Sequence, residues 1–168
     1  MPTPEPWLRG PVPGVPPLLQ PVAHALQLAV EDVRRVVPPL TRGQLGARPG
    51  GAASVAFHVT HAAGSLDRLF TYARGEMLDE RQMAALRAER AEGPDGADAP
   101  AVAATFEAQV ERAMDQLRAT DASTLLDARE VGRARLPSTV LGLLFHAAEH
   151  TQRHVGQAIT TARVVSAD

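Results

Sequence analysis

Apolar residues recur three and four positions apart through several long segments of the chain. The first segment runs from Leu18 to Val37, and this spacing is typical of a helix with one buried face. Pro38 and Pro39 follow directly and are expected to end that helix. The same criterion predicts further helices over residues 52–74, 79–92, 100–119 and 137–164.

The ends of the predicted helices carry local signals. Ser54 and Asp98 stand near the starts of two apolar-periodic segments, where their side chains can cap the first turn. Pro137 and Ser138 are expected to open the last helix. Residues 120–136 have a mixed, charged composition, and we interpret them as a connection that can include a short extended piece.

Glycine and proline interrupt the helical pattern at two places. Residues 41–53, TRGQLGARPGGAA, and residues 92–100, EGPDGADAP, both contain several of these residues. Such stretches break helices and strands, so we predict a loop at each. Four long helices and one short helix, with no convincing strand, therefore indicate an all-α bundle.

The first 17 residues form a separate compositional segment that contains seven prolines. Proline fixes its own backbone and favours extended chain, so we predict an arm rather than a helix. Trp7 and Leu8 lie inside this arm and need burial, either on the domain or on a second subunit. We therefore predict a proline-rich arm over residues 1–17 and one helical domain over residues 18–168.

Composition narrows the class of protein. At 168 residues and 45% apolar content the chain suits one globular domain. Aromatic residues make up only 4%, so the core is expected to consist of Leu, Val and Ala, which favours helices over a sandwich. The absence of cysteine excludes disulfides, thiolate zinc sites and cysteine nucleophiles.

Charge and hydropathy exclude two kinds of partner. The net charge is −2 and there is no basic block, so nucleic-acid binding has no electrostatic support. No segment has the roughly 18 uninterrupted apolar residues of a membrane span. The first ten residues lack the apolar region of a signal peptide, and we expect a cytoplasmic protein.

Three of the six histidines lie in FHAAEHTQRHVGQ, residues 145–157. His146, His150 and His154 are four residues apart, which places them within an arc of about 80° on one helix face. Neighbours in this series can bind one metal ion, as in other i, i+4 histidine pairs. The outer two are about 12 Å apart along the axis, so the stretch offers one pair and one spare.

A second histidine cluster lies in FHVTHAAGSLDR, residues 57–68, on the second predicted helix. A bundle can bring the two helices together, and two ligands from one helix plus one from the other make a three-histidine site. Such a site keeps an open coordination position, as catalytic zinc sites do. The helical wheel places His58 closer to the apolar face than His61 and so favours His58 as the inward residue.

The two clusters resemble motifs of the DinB/YfiT-like superfamily. The segment His61-Ala-Ala-Gly-Ser is similar to the family pattern H-x-A-x-S/A on the second helix. The segment His150-Thr-Gln-Arg-His154-Val-Gly-Gln157 is similar to H-x-x-x-H-x-G-Q on the last helix. The order, spacing and helix assignment of the motifs agree, and the resemblance covers most of the domain. The proline-rich arm is not part of the family pattern.

The resemblance implies an up-down-down-up four-helix bundle and a divalent metal, zinc or nickel, held by His61, His150 and His154. His58, His146 and Gln157 are then candidates for supporting the ligands or lining the pocket. It also implies a homodimer and a small-molecule substrate, since some relatives are transferases or isomerases that use a low-molecular-weight thiol such as mycothiol or bacillithiol.

Three functional hypotheses remain open from the sequence. In the first, an ion held by neutral imidazoles keeps its charge and activates water or an incoming thiol in a hydrolase or thiol S-transferase. In the second, the bundle binds metal without catalysis. In the third, it is a dimeric interaction domain whose histidines titrate near pH 6.5. Because the chain has no cysteine, a thiol nucleophile would have to arrive with a cosubstrate.

Overall fold

The computed structural model describes residues 3–91 and 98–167 and is mostly helical in that part of the chain. Most of the predicted loop over residues 92–100 lies outside the described residues. The helices and strands, in chain order, are α1 (Gln20–Val36), α2 (Arg42–Gly46), α3 (Val55–Ala73), α4 (Glu80–Ala91), α5 (Ala99–Ala119), β1 (Ala128–Val131), β2 (Leu136–Thr139) and α6 (Val140–Ala167).

Four long helices surround one apolar core. Helix α3 packs against α5 and α6, and α1 packs against the same two helices. The short helix α4 packs against α3. The core is built largely from leucine, valine and alanine, as the composition predicts, and its large, almost fully buried members include Leu26, Leu66, Phe70, Phe106 and Leu144.

Both predicted N-caps are confirmed. The Ser54 hydroxyl accepts a hydrogen bond from the Phe57 amide at 3.1 Å and begins α3. The Asp98 carboxylate accepts one from the Ala101 amide at 2.8 Å and begins α5. These contacts satisfy amide donors that have no partner within the first helical turn, which is why the helices start at these positions.

The start of the last helix was predicted three residues too early. Pro137 and Ser138 lie in β2, which pairs antiparallel with β1, and α6 begins only at Val140. The cap is Thr139, whose hydroxyl accepts a hydrogen bond from the Gly142 amide at 3.0 Å. The hairpin also corrects the expectation of no convincing strand, although β1 lies in the connection where a short extended piece was allowed. It was missed because each strand has only four residues, too few for a clear alternation.

The predicted loop at residues 41–53 contains a five-residue helix, α2, despite two glycines in its sequence. Thr41 and Gln44 form a reciprocal capping box, in which the Thr41 hydroxyl accepts from the Gln44 amide at 3.2 Å and the Gln44 side chain accepts from the Thr41 amide at 3.0 Å. Leu45 is buried beneath this turn. Capping and one apolar anchor therefore outweigh the glycines here.

The proline-rich arm packs along α1. The Gln20 side chain accepts a hydrogen bond from the Val12 amide at 2.7 Å and donates to the Val12 and Val15 carbonyls at 3.0 and 2.9 Å. Val12 and Val15 are buried and belong to the core. Trp7 and Leu8 are 62% and 58% exposed, so the expectation that they pack on the domain of their own chain is wrong. Their burial on a second subunit stays a prediction. The domain boundary at residue 17 stays a prediction.

In the part of the chain that the structure describes, no helix is both long and apolar enough to cross a membrane.

Candidate metal centre

The packing of α3 on α6 brings three histidines together. His61 projects from α3, and His150 and His154 project from α6. Each can offer one ring nitrogen such that the three atoms lie within 4.8 Å of one another. The Nε2 atoms of His61 and His150 are 3.1 Å apart.

The ring of His154 completes the cluster. Its centroid lies 4.5 Å from that of His61 and 4.6 Å from that of His150. Two of the rings belong to one helix at the predicted four-residue spacing, and the third comes from the facing helix. These are the three residues that the family resemblance implies as ligands, and their role as ligands stays a prediction.

His58 occupies a different place from His61 on α3. It is buried, and its Nδ1 lies 3.1 Å from Nδ1 of His154. The His61 side chain is 23% exposed and faces His150. The helical wheel therefore identified the more buried histidine, whereas the motif identified the histidine that meets both His150 and His154.

His146 lies outside the three-histidine cluster. Its side chain is 53% exposed, and its Nδ1 lies 3.1 Å from a carboxylate oxygen of Glu149. The ring centroid is 5.7 Å from that of His150, so His146 borders the cluster.

Gln157 is exposed and lies in a wide cleft of about 570 Å³ beside His58. The cleft is also lined by Arg153, Thr160 and Thr161. His58 lines the cleft and also contacts His154, so this side chain separates the cleft from the histidine cluster.

Glu89 of α4 is the contact that sequence reasoning missed. Its Oε2 lies 2.9 Å from Nδ1 of His61, and Arg68 donates to both of its oxygens at 2.6 and 3.0 Å. The Glu89 and Arg68 side chains are only 7% and 10% exposed. In sequence, Glu89 stands in ERQMAALRAER, where nothing distinguishes it from the charges of a solvated helix.

Burial and neighbouring groups lower the pKa of three histidines at this site, His58, His150 and His154. Burial, together with the nearby His61, His150 and other cationic groups, lowers the pKa of His154 to about 4. Burial is also the main cause that lowers the pKa of His58 and of His150. A neutral imidazole has the free lone pair that metal binding requires.

Glu89 stays ionised because its hydrogen-bond partners outweigh the effect of burial on its pKa. Burial alone would raise the pKa of Glu89, but hydrogen bonds from His61 and Arg68 and the charge of Arg68 outweigh it and lower the pKa. An ionised carboxylate only accepts hydrogen bonds, so the proton between Glu89 and His61 belongs on Nδ1 of His61.

The donor set fits a divalent transition metal. Three imidazole nitrogens suit zinc, copper, iron or nickel, whereas calcium and magnesium prefer oxygen ligands. Two of the rings also have a polar partner at Nδ1. Nδ1 of His61 contacts Glu89, and Nδ1 of His154 contacts His58. Such outer contacts orient histidine ligands in metal sites.

The lowered pKa of His154 predicts an acid-sensitive metal-free protein. Between pH of about 6.5 and about 4 the unfolded chain binds a proton at His154 that the folded chain does not. The free energy of unfolding should therefore fall as pH drops through that window and show no such penalty above it. Thermal unfolding of chelator-treated protein measures this. The His154→Gln variant should lose part of the slope, and an unchanged slope would contradict the assignment.

The fold and the histidine cluster define a helical protein with a candidate metal centre between two of its long helices. The sequence profile of the DinB superfamily matches residues 25–158, and the chain belongs to that superfamily. This confirms the family resemblance seen in the histidine motifs.

A solved structure has a similar fold. It is described as the conserved protein of locus from Enterococcus faecalis, and the alignment covers 89% of this chain and 98% of that chain, with a TM-score of 0.73 and 19% identity. At this identity the similarity shows the fold alone. Among curated proteins, none matches the chain.

Proposed function

We propose that this protein is a metal-dependent enzyme in which His61, His150 and His154 hold one zinc or nickel ion. The observation that carries the proposal is the convergence of three ring nitrogens within 4.8 Å. The membership of the chain in the DinB superfamily supports it. An ion in this site would supply a positive charge that activates water or a low-molecular-weight thiol at neutral pH.

The architecture we infer is the up-down-down-up four-helix bundle of that superfamily, formed by α1, α3, α5 and α6. The contacts of α3 and α1 with both α5 and α6 support this arrangement. Sites in bundles are formed by side chains on facing helices, which is how α3 and α6 supply the three histidines.

The chain's own residues suggest where a substrate binds. The cleft beside His58 carries the polar side chains of Arg153, Gln157 and Thr160, which can hold a polar small molecule next to the cluster. Because the sequence contains no cysteine, any thiol must enter as a cosubstrate. The reaction type is then hydrolysis or transfer of a group to that thiol.

We further infer a cytoplasmic homodimer. The exposed apolar side chains of Trp7, Leu8 and Leu18, at 62%, 58% and 66% exposure, support a partner surface near the arm. Clusters of exposed apolar residues are typical of protein interfaces.

One observation favours a second candidate, a metal-binding bundle without catalysis. Among the described residues, neither carboxylate beside the cluster stands free to act as a general base. Glu89 is bound by Arg68 and His61, and Glu149 is bound by Arg153 and contacts His146.

The proposal is tested in two steps, first by metal content and then by activity. Protein purified without an affinity tag should contain close to one zinc or nickel per chain by elemental analysis. A panel of electrophiles should then be turned over with bacillithiol, mycothiol, glutathione or water, and a chelator should abolish the turnover. Absence of stoichiometric metal would remove the proposal. Metal without chelator-sensitive turnover would favour the second candidate.

A further inference from the structure

Helix α4 is attached to α3 by polar contacts near both of its ends. Near its start, the buried Gln82 side chain donates to the Thr71 hydroxyl at 2.8 Å and to the Asp67 carboxylate at 3.0 Å. Two helical turns later, Glu89 makes the contacts with Arg68 and His61. The seven-residue spacing puts Gln82 and Glu89 on the same face of α4. The contacts of Gln82 therefore help to hold the face of α4 that carries Glu89 against α3.

Gly64 provides the space that Glu89 occupies. A Cβ atom at position 64 would lie 2.1 Å from Oε1 of Glu89 and 2.8 Å from Nη1 of Arg68. These separations are far below van der Waals contact, so with a larger residue at this position the ends of the Glu89 and Arg68 side chains must move from the observed placement. Glycine inside a helix costs about 1 kcal/mol relative to alanine. The close approach of Glu89 is a packing reason for a glycine at this position despite that cost.

We propose that Glu89, seated against Gly64 and held by Arg68, is a positioning residue that fixes His61 with its proton on Nδ1 and its Nε2 free. Nε2 is the atom that faces His150 at 3.1 Å. The consequence for metal binding rests on the proposed function, whereas the orientation and tautomer of His61 do not.

The argument for positioning is one of hydrogen-bond capacity. Arg68 donates to both oxygens of Glu89, and Oε2 has a remaining lone pair in reach of His61. With the proton held on Nδ1, the neutral ring must present a lone pair at Nε2. A ring without this partner can exchange the proton between its nitrogens and rotate. Loss of such a partner typically weakens metal binding by about 10–100-fold.

Two sets of variants separate this role from simple ion-pair stabilisation. Replacing the pair with leucines, Glu89→Leu with Arg68→Leu, removes the acceptor without leaving a buried unpaired charge, which preserves folding better than a single change. Gly64→Ala keeps both charged groups but fills the space that Glu89 occupies. The matched controls are Glu107→Gln, which breaks the Arg34–Glu107 ion pair between α1 and α5, and Gly46→Ala on α2, where an added Cβ meets nothing within 4 Å.

The first measurement is ¹⁵N NMR of the His61 ring in chelator-treated protein, above the ordinary histidine pKa. Wild type and both controls should show the Nδ1–H form. The leucine pair and Gly64→Ala should shift towards a mixture or the Nε2–H form, with circular dichroism confirming that they are folded. An Nε2–H form in wild type, or an unchanged Nδ1–H form in both test variants, would overturn the proposal.

The second measurement is zinc affinity of the tag-free proteins in competition with a chelator. Both test variants should bind zinc about 10–100-fold more weakly than wild type, and the controls should match wild type. Equal affinity in wild type and test variants would overturn the positioning role. If wild type binds no zinc but the NMR result holds, the proposed function fails while the positioning of His61 by Glu89 stands.

Discussion

Replacement of both His150 and His154 by alanine is expected to abolish stoichiometric metal binding. The two residues supply two of the three ring nitrogens that lie within 4.8 Å of one another. The remaining His61 cannot hold a divalent ion by itself, because zinc sites in proteins use three or four protein ligands. Elemental analysis of the tag-free variant, purified in parallel with wild type, provides the measurement.

His24→Ala is the matched control for that experiment. His24 lies on α1, and its ring contacts the Gly10 carbonyl at 3.0 Å, outside the cluster. This variant should retain wild-type metal content. Metal retained at wild-type level in the His150→Ala/His154→Ala protein would show that the cluster is not the binding site.

Single variants of α3 decide between its two histidines. His61→Ala should lose metal, since His61 is the α3 histidine within the three-nitrogen group. His58→Ala should keep metal with weakened affinity, because His58 contacts His154 through Nδ1. The reverse order of the two affinities would identify His58 as the ligand and correct the assignment that the motif gives.

Phe106→Ala is expected to cause the largest loss of stability among single core changes. Phe106 is fully buried on α5, in a protein with only four phenylalanines. Truncation removes apolar contacts and leaves a cavity, which typically costs about 3–5 kcal/mol in the free energy of unfolding. Denaturant unfolding should show a lower midpoint with an unchanged slope.

Phe145→Ala is the control for the core prediction. Phe145 is 59% exposed near the start of α6, and surface changes usually alter stability by no more than about 0.5 kcal/mol. A similar loss for both variants would indicate that Phe145 is covered in the native assembly. A small loss for Phe106→Ala would contradict the burial of Phe106 in the core.

Local sequence signals were sufficient for most helices. The boundaries of α1, α3, α4 and α5 agree with their predicted ranges to within a few residues. Helical periodicity and side-chain caps are properties of neighbouring residues, so one sequence contains them. The hairpin and the start of α6 were mispredicted because strand pairing between residues 128–131 and 136–139 depends on which segments meet.

In the histidine cluster, too, some features follow from neighbouring residues and others from how the helices pack. The four-residue spacing of His150 and His154 placed them on one face of one helix, and this follows from helix geometry alone. The sequence also gave the family resemblance, which implied His61. Which α3 histidine faces His150 depends on how α3 and α6 pack, and helical periodicity alone favoured His58.

Only the tertiary structure decided the contact between Glu89 and His61. The two residues are 28 positions apart and lie on different helices, and the other carboxylate oxygen of Glu89 occupies the space beside Gly64. The amino-acid sequence determined the helices, their caps and the histidine pair of α6, because each depends on residues within a few turns. The third histidine's orientation and its carboxylate partner were decided by packing, because they depend on the distance and angle between whole helices.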